Sequence, residues 1–170
     1  MYAVNPIDNS TFYQGDIIDD FPFYLFENAQ LIKKNEVGFF EPDNLSEMGN
    51  SLLAIETKKQ KVMILSQTCD AQRRTNLIIC PVYKLDQFLV DNTINTARAR
   101  SIRERKVYYW FYLPESDLLS ESLADFQTMI FVSRNKVEKY LSSKIVSLSD
   151  LGRHHLSWSL ATYFGRPEER

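Results

Sequence analysis

Cys69 is the residue with the most obvious chemistry. It stands in Gln67-Thr68-Cys69-Asp70, directly after the apolar run KVMILS at 61–66. A strand end gives a side chain rigid backbone and access to solvent, which suits a nucleophilic or redox thiol. His154 or His155 would then serve as its base. The plainer reading makes Cys69 a small filler and Asp70 the start of a turn into Ala71-Gln72-Arg73-Arg74. No third, orienting group completes a triad. His154 and His155 are adjacent, so on a helix they point about 100° apart and do not form the i, i+4 pair that holds zinc. His155 is expected to pack on an apolar face and His154 to meet water. No metal and no cofactor are expected.

A second constellation is cationic and aromatic. Arg98, Arg100, Arg103, Arg105 and Lys106 run straight into VYYWFYL at 107–113. If that run is a strand, Tyr108, Trp110 and Tyr112 share one face, and Val107, Tyr109, Phe111 and Leu113 share the other. Arginines beside exposed rings make a surface that holds a phosphate backbone and stacks bases. The alternative buries both strand faces and leaves the arginines as a solvated helix face or as salt-bridge partners. Arg73 and Arg74 could extend the patch. Tyr13, Phe21, Phe23, Tyr24 and Phe26 add an aromatic N-terminal segment, part of it core and part of it suited to an interface with a partner or a second copy.

Composition narrows the classes. The chain has 170 residues, 44% hydrophobic and 25% charged, which suits one domain over 1–170 that folds without a disulfide or metal. Its net charge of -2 gives no global field that draws nucleic acid. Five glycines argue against a phosphate-cradling loop. Two cysteines without paired spacing, no leader-like start and no long apolar stretch point to a cytoplasmic, non-membrane protein with reduced thiols.

The elements that must position these groups are mostly strands at first. Strands are expected at 16–18, 21–26, 36–40, 52–57, 61–67 and 76–83, with a turn-rich loop at 41–50. The runs at 61–67 and 76–83 are nearly all apolar, so they belong at the centre of a sheet. Pro81 should sit at a strand end, an edge or a bulge. Residues 86–105 read as two short helices broken near Asp91-Asn92. Strands follow at 107–113 and 126–133, then a short helix at 135–141. The last helix should be capped by Ser147, with Asp150 near its positive end and Gly165 and Pro167 as its stop. Leu148, Leu151, His155, Leu156, Trp158 and Tyr163 should make its apolar face. This pattern gives an α+β fold: a small bent sheet or partial barrel with helices on one side.

Gly15-Asp16-Ile17-Ile18, KVMILS at 61–66, NLIICPV at 76–82 and SLADFQTMIFVSRNKV at 122–137 occur in an order that resembles the MazF/PemK family of toxin barrels. The resemblance implies an SH3-like barrel (12–84 and 107–134), a helical insertion at 86–105 and C-terminal helices at 135–165. It also implies a frequently dimeric protein from a bacterial toxin–antitoxin or defence setting. Family members cut RNA without a metal, using an Arg just before the KVMILS-like strand and a Thr or Ser at the end of the next. This chain has Gln60-Lys61 and Tyr83-Lys84 at those places. The resemblance therefore implies a degenerate, non-catalytic module that binds a protein partner, RNA or DNA. The alternative is an endoribonuclease with a rearranged site, with Lys61 and Arg73 or Arg74 supplying charge and Asp70 acting as base. A cysteine-dependent hydrolase or redox protein using Cys69 is the third reading.

Overall fold

The computed structural model describes residues 3–4, 10–33, 51–91 and 93–165. They divide into two compact units, Met1–Phe21 with Gln60–Arg170, and Pro22–Lys59. The smaller unit holds residues 22–33 and 51–59, all in extended conformation. The expected strand at 36–40 and the loop at 41–50 lie outside the described residues.

The architecture is mixed α+β: a curled antiparallel sheet, half of a barrel, followed by a C-terminal helix. The strands are β1 (Ala3–Val4), β2 (Ile17–Lys33), β3 (Ser51–Ile64), β4 (Asn76–Lys84), β5 (Trp110–Leu113), β6 (Ser122–Asp125), β7 (Ile130–Ser133) and β8 (Lys144–Leu148). Their order is β1-β8-β2-β3-β4-β6-β5, with β7 also on β4. The apolar runs expected at 61–67 and 76–83 lie in the middle of that order, the first as the end of β3, which stops at Ile64 and not at 67, and the second as β4. They pair from Lys61 opposite Val82 to Ile64 opposite Ile79.

The far side of β4 is shared. Asn76–Ile79 pairs with β7, and Val82–Lys84 pairs with β6. Between β6 and β7 the chain makes a single 3₁₀ turn, Phe126–Thr128, capped by the Asp125 carboxylate, which accepts from Gln127 N at 3.0 Å. The run at 126–133 is therefore a turn and then a strand, and the strand Ser122–Asp125 precedes it unexpectedly. Pro81 lies inside β4 and is buried, not at an end. It falls where β7 stops and β6 has not begun, so the break in the neighbouring ladder coincides with the residue that has no amide to donate.

The helices are α1 (Thr68–Arg73), α2 (Leu85–Val90), α3 (Thr96–Arg103), α4 (Arg134–Glu138) and α5 (Asp150–Gly165). Helices α2 and α3 bear out the reading of 86–105 as two short helices. The side chain of Asn95 caps α3 by accepting from Arg98 N at 2.8 Å. Helix α4 ends at Glu138, earlier than the expected 141, and a 3₁₀ turn at Leu141–Ser143 follows.

Ser147 does not cap α5. It belongs to β8, a strand the sequence reading missed, and its hydroxyl donates to Asp16 at 2.7 Å. Ser149 does the capping, accepting from Gly152 N at 3.2 Å. The apolar face of α5 is also narrower than expected. Leu156 is buried and Leu160 and Tyr163 pack on the core, whereas Leu151 and Trp158 are exposed.

The core joins Ile17, Met63, Leu65, Val82, Phe111 and Leu148, with Leu156 of α5 set against them. A second apolar cluster lies under α2 and α3, where Leu85, Ile102, Val107 and Leu123 meet Trp110 and Tyr112.

Candidate functional site

The turn after α3 opens the site. Arg105 N donates to Ile102 O and Lys106 N to Ser101 O, both at 2.9 Å. These two bonds close the helix as a Schellman motif, which places Arg105 at the left-handed position where glycine is usual. Its φ is +56°. A non-glycine residue there carries strain, and such strain concentrates at functional positions.

Arg105 and Lys106 line a cleft of about 260 Å³ between this turn, β5 and α5. Tyr108, Trp110 and Tyr112 line it from the β5 side. Trp158, Ser159 and Thr162 line it from α5, and no Asp or Glu is among its lining residues. The three aromatic residues flagged in the sequence thus share one cleft, though not one strand face. Residue 107 is irregular and 108–109 form a turn, so only Trp110 and Tyr112 alternate along β5, while Phe111 and Leu113 are buried in the core.

Several of these side chains are held by neighbours. The Trp158 indole N–H donates to His154 Nε2 at 3.1 Å, and the ring is 65% exposed. Arg105 Nη1 lies 2.9 Å from His155 Nδ1. Burial first, and then the facing guanidinium, push His155 below the ordinary histidine value. Tyr108 stacks on Tyr163 with centroids 6.4 Å apart. Trp110 packs on Phe88 at 5.7 Å. Tyr112 donates to Glu121 Oε1 at 2.7 Å, and burial together with that carboxylate pushes its phenol up to about 12.

The other arginines of the cluster are used in pairs and do not line the cleft, while Lys106 both lines it and pairs with a carboxylate. Arg103 grips Glu121 through two bonds of 2.7 Å. Arg100 and Lys106 both pair with Glu104, at 2.9 and 2.6 Å. Arg98 lies over the Tyr109 ring at 5.6 Å and donates to its hydroxyl. Arg100, Arg103 and Arg98 therefore act as salt-bridge and ring partners, and Arg105 and Lys106 are the pair that face the cleft.

The remaining sequence candidates do not converge. Lys61 pairs with Asp19 at 2.5 Å. It stands three residues before the end of β3, about 10 Å of strand away from where the chain turns into α1. Asp70 pairs with Arg74 at 3.2 Å, and Arg73 lies exposed beside it on α1. Cys69 is exposed on the same helix, with its sulfur 4.0 Å from Gln67 Oε1, whereas both histidines are engaged at the cleft. Cys80 is buried in the core, which pushes its thiol well up and keeps it unreactive. Among the described residues no group of His, Cys, Asp or Glu could hold a metal.

The sequence reading missed two features. One is the role of Trp158, whose position off the Leu156–Leu160–Tyr163 stripe was a usable signal. The other is a buried polar cluster in which Asp16 accepts from Lys144 Nζ at 3.1 Å, Ser147 Oγ at 2.7 Å and Tyr13 N at 2.9 Å. Burial raises the Asp16 carboxyl while these three donors pull it back down. No described helix is long and apolar enough to cross a membrane. No family model matches the chain, and no curated protein matches it.

Proposed function

We propose that this chain is a non-catalytic interaction module on a MazF/PemK-like barrel, and that it binds single-stranded nucleic acid at the β5–α5 cleft in a bacterial toxin–antitoxin or defence setting. One observation carries the binding part. Two cations and five aromatic side chains line a single cleft that has no carboxylate among its lining residues. Phosphate attracts the former and bases stack on the latter. The curled antiparallel sheet that follows Gly15-Asp16-Ile17-Ile18 supports the barrel reading. Two contacts support the loss of catalysis. Where the family's Arg-Pro would stand there is Gln60-Lys61, with Lys61 tied to Asp19, and where its Thr would stand there is Tyr83-Lys84, with Tyr83 packed on Phe88 at 5.7 Å. A lysine also lacks the fork that holds two phosphate oxygens.

The test is fluorescence anisotropy with labelled single-stranded RNA and DNA, and a gel of the RNA afterwards. Binding should weaken as salt rises, and the RNA should remain intact. Replacing Arg105 and Lys106 together by Ala should weaken binding at least about tenfold and reduce the salt slope by roughly one to two. Metal-independent cleavage that disappears in Asp70→Ala would replace this reading with a rearranged endoribonuclease. Absence of binding to every single strand tested would end the nucleic-acid reading and leave a protein partner as the occupant to seek.

A further inference from the structure

The two adjacent histidines each hold one recognition group of the cleft. A Trp indole N–H only donates, so His154 Nε2 is the acceptor and its proton sits on Nδ1. A guanidinium only donates, so His155 Nδ1 is the acceptor and its proton sits on Nε2. Both imidazoles are neutral in this arrangement, in opposite tautomers. Neighbouring side chains on a helix diverge by about 100°. One step of α5 therefore sets the spacing between a flat ring, Trp158, and a planar cation, Arg105. This is how a rigid element fixes two recognition groups whose own side chains are exposed.

The size of the cleft limits what such a pair can hold. About 260 Å³ lies just below the roughly 300 Å³ at which pockets begin to enclose drug-sized ligands. One base with its sugar phosphate fits that scale, and a stretch of strand does not. The strained backbone at Arg105 points the same way. The turn keeps an arginine where glycine would be easier, and that arginine lines the cleft. Lys106 stands beside it, paired with Glu104 on an exposed surface where such pairs are weak and readily exchanged.

Resting on the nucleic-acid reading, we infer that the cleft takes one unpaired nucleotide at a time, its base against Trp158 and its phosphate on Arg105 and Lys106, and that His154 and His155 are positioning residues for that ring and that cation. The base is held by stacking, which every base can offer, so the site should discriminate weakly among bases. The phosphate supplies the charge-assisted bonds. A chain longer than one nucleotide gains little, because the neighbouring nucleotides fall outside the cleft.

The chain's two tryptophans, Trp110 and Trp158, both line the cleft, so intrinsic fluorescence reports directly on it. The probes are AMP, UMP, uridine, ribose 5-phosphate and single-stranded oligonucleotides of increasing length. AMP and UMP should quench. Uridine should bind at least about tenfold more weakly, since it lacks the phosphate. Ribose 5-phosphate should compete without quenching. Trp158→Ala should weaken AMP binding roughly five- to 150-fold, the range expected for one stacked base. His154→Ala and His155→Ala should weaken it too. His154→Gln and His155→Asn, which restore an acceptor near the original nitrogen, should recover most of the loss, with melting temperatures alike across the four.

If oligonucleotides bind far more tightly with length and AMP fails to displace them, the single-nucleotide clamp is wrong while the module reading stands. Alanine-like behaviour of the Gln and Asn variants removes the positioning role. If neither mononucleotides nor oligonucleotides bind, both readings fall together.

Discussion

Asp16 and Arg105 are both charged residues at tight turns, and both are fixed by neighbours, yet the two regions treat charge in opposite ways. Asp16 is fully buried, as is the Lys144 side chain that pairs with it, and its donors come from β8 and the segment before β2. Lys144 also donates to Thr11 O at 2.9 Å, so the cluster is satisfied internally. Among the described residues no buried side-chain polar atom lacks a partner. Arg105, by contrast, is held by His155 and lines an open cleft, next to a tryptophan that is mostly exposed. A closed, satisfied network stabilises one arrangement of the chain. A held but exposed pair of side chains stays within reach of solvent. Polarity alone does not separate the two regions; what separates them is burial, complete at Asp16 and absent at Arg105, which is exposed.

The largest way to sharpen that contrast is to cut the buried pair. Asp16→Ala leaves the Lys144 ammonium buried without its carboxylate, and removal of one partner from such a pair costs about 3–5 kcal/mol. Urea denaturation at neutral pH measures it. Asp16→Leu combined with Lys144→Met should recover most of the loss, because no charge is then left uncompensated. Nucleotide quenching per folded molecule should be the same in the double variant as in the parent chain. Unchanged stability in Asp16→Ala, or a folded double variant that no longer binds, would break the division between the two regions.

The parts of the fold that were legible in the sequence are those set by local pattern. The apolar runs of β3 and β4 announce central strands, and the polar break at Asp91 separates α2 from α3. What escaped depends on partners distant in sequence. Ser147 has the chemistry of a helix cap, but Asp16, 131 positions away, claims its hydroxyl, and Ser149 caps the helix. VYYWFYL looks like one long strand, yet its first three residues lie outside β5, with Tyr108 and Tyr109 in a turn. The cleft was half legible. Arg105, Lys106, Tyr108, Trp110 and Tyr112 stood together in sequence. Trp158 and the two histidines join them only because α5 returns beside β5, a tertiary fact that no local spacing encodes.

A smaller effect tests whether Arg105 is kept for the cleft or for the fold. Arg105→Gly removes the side chain and relaxes the left-handed backbone at once. Relief of that conformation is worth about 1 kcal/mol. The variant should therefore be more stable than the parent in urea, and bind AMP more weakly. A structural role would give the reverse sign on stability, since the contact with His155 is lost. Opposed signs for stability and binding are the signature of a residue held against local preference for the sake of a site.

The smallest effect concerns the clamp behind the cleft. Glu121 receives two bonds from Arg103 and one from Tyr112, which anchors α3 to the strand that carries Trp110. The hydrogen bonds from the Arg103 guanidinium hold the Glu121 carboxyl below its ordinary value of 4.5. A depressed folded pKa means that the contribution to stability is present above the unfolded value and is lost as pH falls through the folded one. Arg103 is partly exposed, so the pair is worth only about 0.2–1 kcal/mol. Glu121→Gln should be destabilised by that amount at neutral pH, and the difference from the parent should close once the pH is taken well below 4.5. Denaturation curves of both proteins at the two pH values give the comparison. A gap that persists in acid would mean that Glu121 acts by packing or through its Tyr112 bond, and that charge is as dispensable behind the cleft as it is indispensable at Asp16.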